Sequence, residues 1–179
     1  MNLILKIEME HKLFSEWTFW FDGFSNKSTE TYGSNIVSIG SFKTAEEFWG
    51  IYDAIPKLGT MENGSDVSLF KNGIKPIWED TSNVGGGRIQ TILTNTNNEL
   101  CQQYWRDTIL SLIGETIPSA YCINGAAFSV RQHNKIALWL DKSGKEHLNE
   151  ISKKLRDIIP CDGTIIYYSH DPSVEPIVC

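Results

Sequence analysis

Residues 126–140 read AAFSVRQHNKIALWL. Two β-rich runs flank a short polar turn near Gln132–Asn134, the pattern of an antiparallel hairpin. Side chains alternate along a strand, so Lys135, Ala137 and Trp139 share one face. Ile136, Leu138 and Leu140 take the other, which is apolar enough to pack beneath helices. Arg131, His133 and Lys135 crowd the tip, and Trp139 lies about 13 Å further along the Lys135 face. A cationic tip beside an aromatic suits the phosphate end of a nucleotide site. An ordinary solvated turn accounts for the same residues.

Working outward, further strands are expected at 17–21, 36–40, 66–70, 89–94 and 164–168, separated by Gly, Asn or Asp. Three segments have helical periodicity. The first starts at Thr44, which forms a capping box with Glu47. Phe48, Ile51, Tyr52 and Ile55 make its apolar stripe and Pro56 ends it. The second runs from about Asn98 to Gly114, with Cys101, Trp105, Thr108, Ile109 and Leu112 inward. The third begins at Ser143, turns Leu148, Ile151, Leu155 and Ile158 inward, and closes at Pro160. Strands outnumber helices without alternating with them. The expected class is α+β: an antiparallel sheet with helices packed on one side.

The chain has 179 residues, 41% hydrophobic and 21% charged, which is the composition of one globular domain. Its net charge is -6, which argues against coating long nucleic acid but leaves room for a pocket holding one nucleotide. Six tryptophans exceed the needs of one small core, so some are free for recognition. The four cysteines form no CxxC pair and have no histidine at zinc spacing, so they read as reduced thiols, with no metal or cofactor expected. The opening MNLILKIEMEHKL is too short and too charged for a secretion signal, and no apolar run approaches a membrane span. A cytoplasmic protein is expected, with nuclear access open.

In GIKPIWED, residues 73–80, Pro76 restricts its neighbour and Asp80 opens a polar loop. Trp78 therefore falls at a strand–loop edge between acids. It can offer a flat indole face with Glu79 as an acceptor for paired N–H donors such as those of guanine. It can equally shield the loop. Tyr32, in a polar Gly-containing stretch, is either a second aromatic plate or a surface side chain. On the helices, Trp49 lies about 100° off its stripe and Leu110 about 140° from Trp105, which outlines a protein-binding patch unless loops cover it.

Enzymatic motifs are weak. GGGR at 85–88 lacks the Lys-Ser/Thr of a phosphate-binding loop, and neither G-x-S-x-G nor H-E-x-x-H occurs. His170–Asp171 imitates part of a triad, which leaves a nucleotide hydrolase as a reading from another class. A module that binds only through Trp49 is a third.

Collinear segments of the chain resemble the eukaryotic mRNA 5′ cap-binding family, translation initiation factor 4E. They are HKLFSEWTFWF, FKTAEEFWGIYDAI, DVSLFKNGIKPIWED, GGGRIQTIL, YWRDTILSLIGE, the hairpin ending in KIALW, and YYSHD. The resemblance implies a non-enzymatic, monomeric protein: an N-terminal segment over 1–15 and a cap-binding domain over 16–179. It implies a strongly curved antiparallel sheet with three helices on the convex side. The 7-methylguanine of a capped mRNA, or of 7-methyl-GTP or 7-methyl-GDP, would lie between Tyr32 and Trp78. Glu79 would take its N1 and N2 hydrogens, and Trp139 would touch the N7-methyl group. Arg131 and Lys135 would meet the phosphates, with His133 where relatives often carry a cation and Arg88 assisting through water. The dorsal helices would bind the scaffold factor 4G or competing binding proteins through the positions of His11, Trp49, Asp107 and Leu110.

The physics of such a sandwich is general. Methylation at N7 leaves a delocalised positive charge, so two π-faces add cation–π attraction to stacking. Three departures from the family pattern stand out. Tyr32 replaces the usual Trp, a weaker partner by ~0.5 kcal/mol. Lys12 and Arg106 stand where Pro and Leu are common, which bears on the scaffold contact. The longer C-terminal loop with a regulatory Ser is not expected. The role implied is recruitment of capped mRNA for translation, or repression by a cap binder that does not engage the scaffold.

Overall fold

The computed structural model describes residues 10–23 and 35–179. Among these, eight strands form one antiparallel sheet. They are β1 (Lys12–Asp22), β2 (Ile36–Thr44), β3 (Asp66–Lys71), β4 (Gly87–Ile92), β5 (Ile123–Ser129), β6 (Lys135–Leu140), β7 (Ile165–Ser169) and β8 (Ile177–Val178). Their order is β2-β1-β3-β5-β6-β4-β7-β8, and the sheet is curved. The three α-helices are α1 (Ala45–Tyr52), α2 (Asn98–Ile113) and α3 (Leu148–Ile158). No helix of the described residues is long and apolar enough to cross a membrane.

Period-two alternation in β6 divides the molecule as expected. Ile136, Leu138 and Leu140 join the main core with Trp105, Ile109 and Leu112 of α2 and Ile151 and Leu155 of α3. Ala137 and Trp139 form a second, smaller cluster with Phe70 on the opposite face. Burying a large side chain is worth roughly 1.5–3 kcal/mol, so the helical face holds the sheet together and the other face is left for a ligand.

α2 runs where it is expected, from Asn98 to a Gly114 C-cap; α1 begins as expected but ends early, and the third segment opens differently. Thr44 accepts from the Glu47 N–H at 3.2 Å, and the Glu47 carboxylate accepts from the Lys43 N–H at 2.9 Å. α1 stops at Tyr52, four residues before Pro56. The Ala54 and Ile55 N–H groups donate to Ile51 and Tyr52 instead, tightening the last turn, while Ile55 still packs on the core. The third helical segment opens as a 3-10 turn over Gly144–His147 before α3. Gly144 fits there because a Cβ would lie 2.5 Å from Leu140 Cβ. β5 starts three residues earlier than expected and ends at Ser129, so Arg131 sits in the turn rather than on the strand. β8 had no counterpart in the sequence reading.

Candidate functional site

The loop between β3 and β4 carries Trp78, and buried polar groups fix its path. Asp80 accepts from the backbone N–H groups of Lys75 (3.0 Å) and Ser82 (2.9 Å). Asn83, 0% exposed, donates through Nδ2 to the carbonyls of Lys75 (2.9 Å) and Ile77 (2.8 Å). Its Oδ1 accepts from Asn124 Nδ2 at 3.0 Å, which ties the loop to β5. With the loop so anchored, Trp78 is 50% exposed and Glu79 beside it is exposed.

Below stands Trp139, 5% exposed on β6. Its ring meets Phe70 edge-on, centroids 5.5 Å apart, and His170 at 4.7 Å. His170 Nδ1 is 2.8 Å from the carbonyl of Asn83. A carbonyl oxygen only accepts, so Nδ1 carries the hydrogen and Nε2 presents a lone pair. Burial pushes the His170 pKa down; the hydrogen bond to Asn83 opposes it and Arg88 adds to it, with the net shift toward the neutral ring. Arg88 pairs with Trp139 across β4 and β6; its Nε donates to Gln90 Oε1 at 3.1 Å, and its guanidinium lies 5.8 Å from the Tyr168 ring centre.

Two cavities meet at Arg88 and Trp139. One, of about 470 Å³, is bounded by Trp78, Ser169, His170 and Pro172 as well. The other, of about 200 Å³, runs over the sheet face past Trp20, Asp22 and Asp66 to Arg131 and Lys135 at the hairpin tip. Together they make a trough with a half-exposed indole at one end and cations at the other. A flat base with a phosphate tail matches that order of surfaces.

Of the residues singled out in sequence, the structure brings Trp78, Trp139, Arg131 and Lys135 to this trough; Glu79 is exposed beside Trp78 and lines neither cavity. His133 is exposed and lines neither cavity. Tyr32 lies outside the described residues. The other group sits on the helical face. Trp49 is 42% exposed, Asp107 is half-exposed with Arg106 Nε 3.4 Å away, and Leu110 is half-buried against the core. Gln102 of α2 donates to the Tyr52 hydroxyl of α1 at 2.8 Å and joins the two helices. His11 reaches the same region, its backbone N–H and Nδ1 both on the Glu46 carboxylate, at 3.2 and 2.6 Å.

The sequence reading passed over Asn83, Asp66 and the seat of His170. Asp66 had a usable cue, since the alternation Asp66, Ser68, Phe70 puts it on the face of Phe70. Asn83 had none, because a polar residue in a Gly-rich loop looks like any turn residue.

Comparison with known proteins gives consistent results. The family model described as eukaryotic initiation factor 4E matches residues 12–176. "Eukaryotic translation initiation factor isoform 4E" of Arachis hypogaea is 38% identical over 167 residues, covering 92% of this chain and 81% of its own length. Among solved structures, Caenorhabditis elegans eIF4E-3 in complex with the 4E-binding protein Mextli and a cap analog superposes with a TM-score of 0.85 at 31% identity, covering 96% of this chain and all (100%) of its own. Ascaris suum eIF4E-3 with the m2,2,7G cap gives 0.85 at 33% identity, covering 95% of this chain and 98% of its own.

Proposed function

Because the chain belongs to the eukaryotic initiation factor 4E family, we propose that it binds the 7-methylguanosine cap of mRNA and recruits capped mRNA for translation initiation. The observation that carries this reading is the half-exposed indole of Trp78, set above a cavity whose wall is the buried Trp139 and whose far end is cationic. The solved relatives with m7G and m2,2,7G caps supply the ligand class.

In this reading the methylated base stacks on Trp78, with Tyr32 as the second plate. Cation–π attraction favours the methylated ring, because unmethylated guanine carries no positive charge. Glu79 accepts from the base N1 and N2 hydrogens, a charge-assisted pair. Trp139 meets the N7-methyl group. The phosphates run toward Arg131 and Lys135, with Arg88 between base and tip and His133 outside the trough. The protein works by binding, without turnover, in the cytoplasm, as a domain spanning 16–179. The scaffold factor 4G or a competing binding protein docks on α1 and α2 through His11, Trp49, Asp107 and Leu110; a solved nematode relative is in complex with a 4E-binding protein.

Retention on immobilised 7-methyl-GTP is the test. Wild-type protein is expected to elute with free 7-methyl-GTP and not with GTP, and Glu79→Ala is expected to lose retention. A Glu79→Ala variant retained like wild type would overturn the assigned pocket.

A further inference from the structure

Three Asn-Gly dipeptides occur in the chain, at 63–64, 72–73 and 124–125. Asparagine before glycine can react with its own backbone, because glycine has no Cβ to keep its amide nitrogen from the asparagine carboxamide. The three dipeptides sit in different surroundings. Gly64 donates its N–H to the Val130 carbonyl at 2.8 Å, so that nitrogen is engaged. Asn124 is 5% exposed within β5, and its Nδ2 donates to the Ser82 carbonyl at 2.7 Å and to Asn83 Oδ1 at 3.0 Å. Gly125 beside it is locked between Phe70 of β3 and Trp139 of β6.

Asn72 and Gly73 are exposed, at the centre of the turn that follows β3. The Ile74 N–H closes that turn on the Lys71 carbonyl at 3.1 Å. Gly73 has φ +84°, and nothing lies within 4 Å of where its Cβ would stand. Among the described residues no acceptor holds its N–H. The carboxamide oxygen of Asn72 accepts from Thr18 Oγ1 at 3.1 Å. An amide oxygen only accepts, so the Thr18 hydrogen points at it, and Ser41 donates to Thr18 in turn at 2.8 Å. This donor leaves Asn72 Cγ electron-poor and stands where it steadies the negative charge that an attack puts on the oxygen.

We propose that Asn72 is a site of spontaneous deamidation, and that its isoaspartate product unseats the loop carrying Trp78. The Gly73 nitrogen, its proton taken by hydroxide, bonds to Asn72 Cγ. The Cγ–Nδ2 bond breaks, and Nδ2 leaves as ammonia with a proton from water. Water then opens the cyclic imide. Opening at Cγ gives aspartate, which keeps an oxygen for Thr18 and the length of the turn. Opening at the main-chain carbonyl gives isoaspartate, whose backbone runs through Cγ and is longer by a methylene. That change falls just before Ile74, which packs with Phe70 and Trp139, and Lys75, whose N–H Asp80 holds at 3.0 Å. The modification stands on the turn alone; its effect on the ligand rests on the cap-binding reading above.

The experiment holds the full chain at mildly alkaline pH and physiological temperature. Peptide mass mapping follows each Asn-Gly, and an isoaspartyl methyltransferase with a labelled methyl donor counts isoaspartate. Conversion at Asn72 is expected to be at least about tenfold faster than at Asn63 or Asn124, which must first break a hydrogen bond or open a strand. It is expected to accelerate as the pH rises, and Asn72→Gln, whose ring would be larger, should abolish it. Retention on 7-methyl-GTP resin should fall in step with isoaspartate. Fresh Asn72→Asp should be retained like fresh wild type, which separates the added methylene from the added charge. Equal or faster conversion at Asn63 or Asn124, or no isoaspartate at Asn72, would overturn the site. Full retention of the isoaspartate form, or loss of retention in fresh Asn72→Asp, would overturn the effect of the longer backbone. Failure of fresh wild type to bind the resin would instead defeat the cap reading, while the mapping still decides the site.

Discussion

The carbonyl of Asn83 and Nδ1 of His170 are 2.8 Å apart and join the two walls of the trough. Asn83 anchors the loop that carries Trp78, and His170 packs against Trp139 with the rings tilted by 52°. The aromatic above and the aromatic below thus share one hydrogen-bonded support, built from a residue of each segment.

Asn83→Asp tests that support. The substitution keeps the shape and the acceptor but turns a donor toward the carbonyls of Lys75 and Ile77 into a carboxylate oxygen. The Lys75 carbonyl keeps only the Ile77 N–H at 2.8 Å, the Ile77 carbonyl keeps only the Asp80 N–H at 3.3 Å, and both face negative charge, a cost of about 3 kcal/mol. Urea unfolding should show that loss, and 7-methyl-GTP retention should fall further than the folded fraction does, because Trp78 is no longer held.

Gly125 tests the floor. It lies opposite Trp139 in the β5–β6 register, and a Cβ there would sit 2.5 Å from both the Leu69 carbonyl oxygen and Phe70 Cγ. Gly125→Ala should push the Phe70 ring against Trp139 and cost about 2 kcal/mol of stability, the scale of overpacking in a filled interior. The expected measurement is a lower urea midpoint together with weaker cap-analogue binding.

His170 sets a pH response. Its folded pKa is depressed by burial, whereas in the unfolded chain it titrates near about 6.5. Below that value the unfolded chain takes up a proton that the folded chain refuses. Stability is therefore full above pH ~6.5 and falls as the pH drops, until the folded ring also protonates. Unfolding free energy measured from pH 7 to 5 should decline in wild type, and His170→Gln should flatten that decline.

Trp49 separates the two surfaces. It packs edge-on against Phe48 and Tyr52, centroids at 4.8 and 5.7 Å, yet stays 42% exposed. Trp49→Ala should abolish co-purification with a 4G-type or 4E-binding partner while retention on 7-methyl-GTP resin stays at the wild-type level. Equal capture of the partner by both proteins would remove Trp49 from the docking surface.

What was legible in sequence followed from short-range rules. The capping box at Thr44 and the two faces of 135–140 need only neighbours within four residues, and both appear where the residues place them. Trp49 stood out because helical geometry is local. Hidden were the contacts between distant segments. Arg131 and Asp66 are 65 positions apart, and Asn83 and His170 are 87. No periodicity encodes such pairs; only the sheet order makes them neighbours. The early stop of α1 was missed for a related reason: Ile55 keeps the helical spacing and its core contact although the backbone there has left the helix.

The strand order also bears on how the molecule assembles. Only β1–β2, β5–β6 and β7–β8 are neighbours both in chain and in sheet; β3 must find β5 across α2, and β4 must slip between β6 and β7. Closing such distant pairs is slow, typically on the scale of ms to s. Trp78, Arg88, Trp139 and His170 come from segments on both sides of these late closures. In refolding from urea, helical ellipticity should therefore return before ligand binding does, and affinity for 7-methyl-GTP should appear in the final kinetic phase.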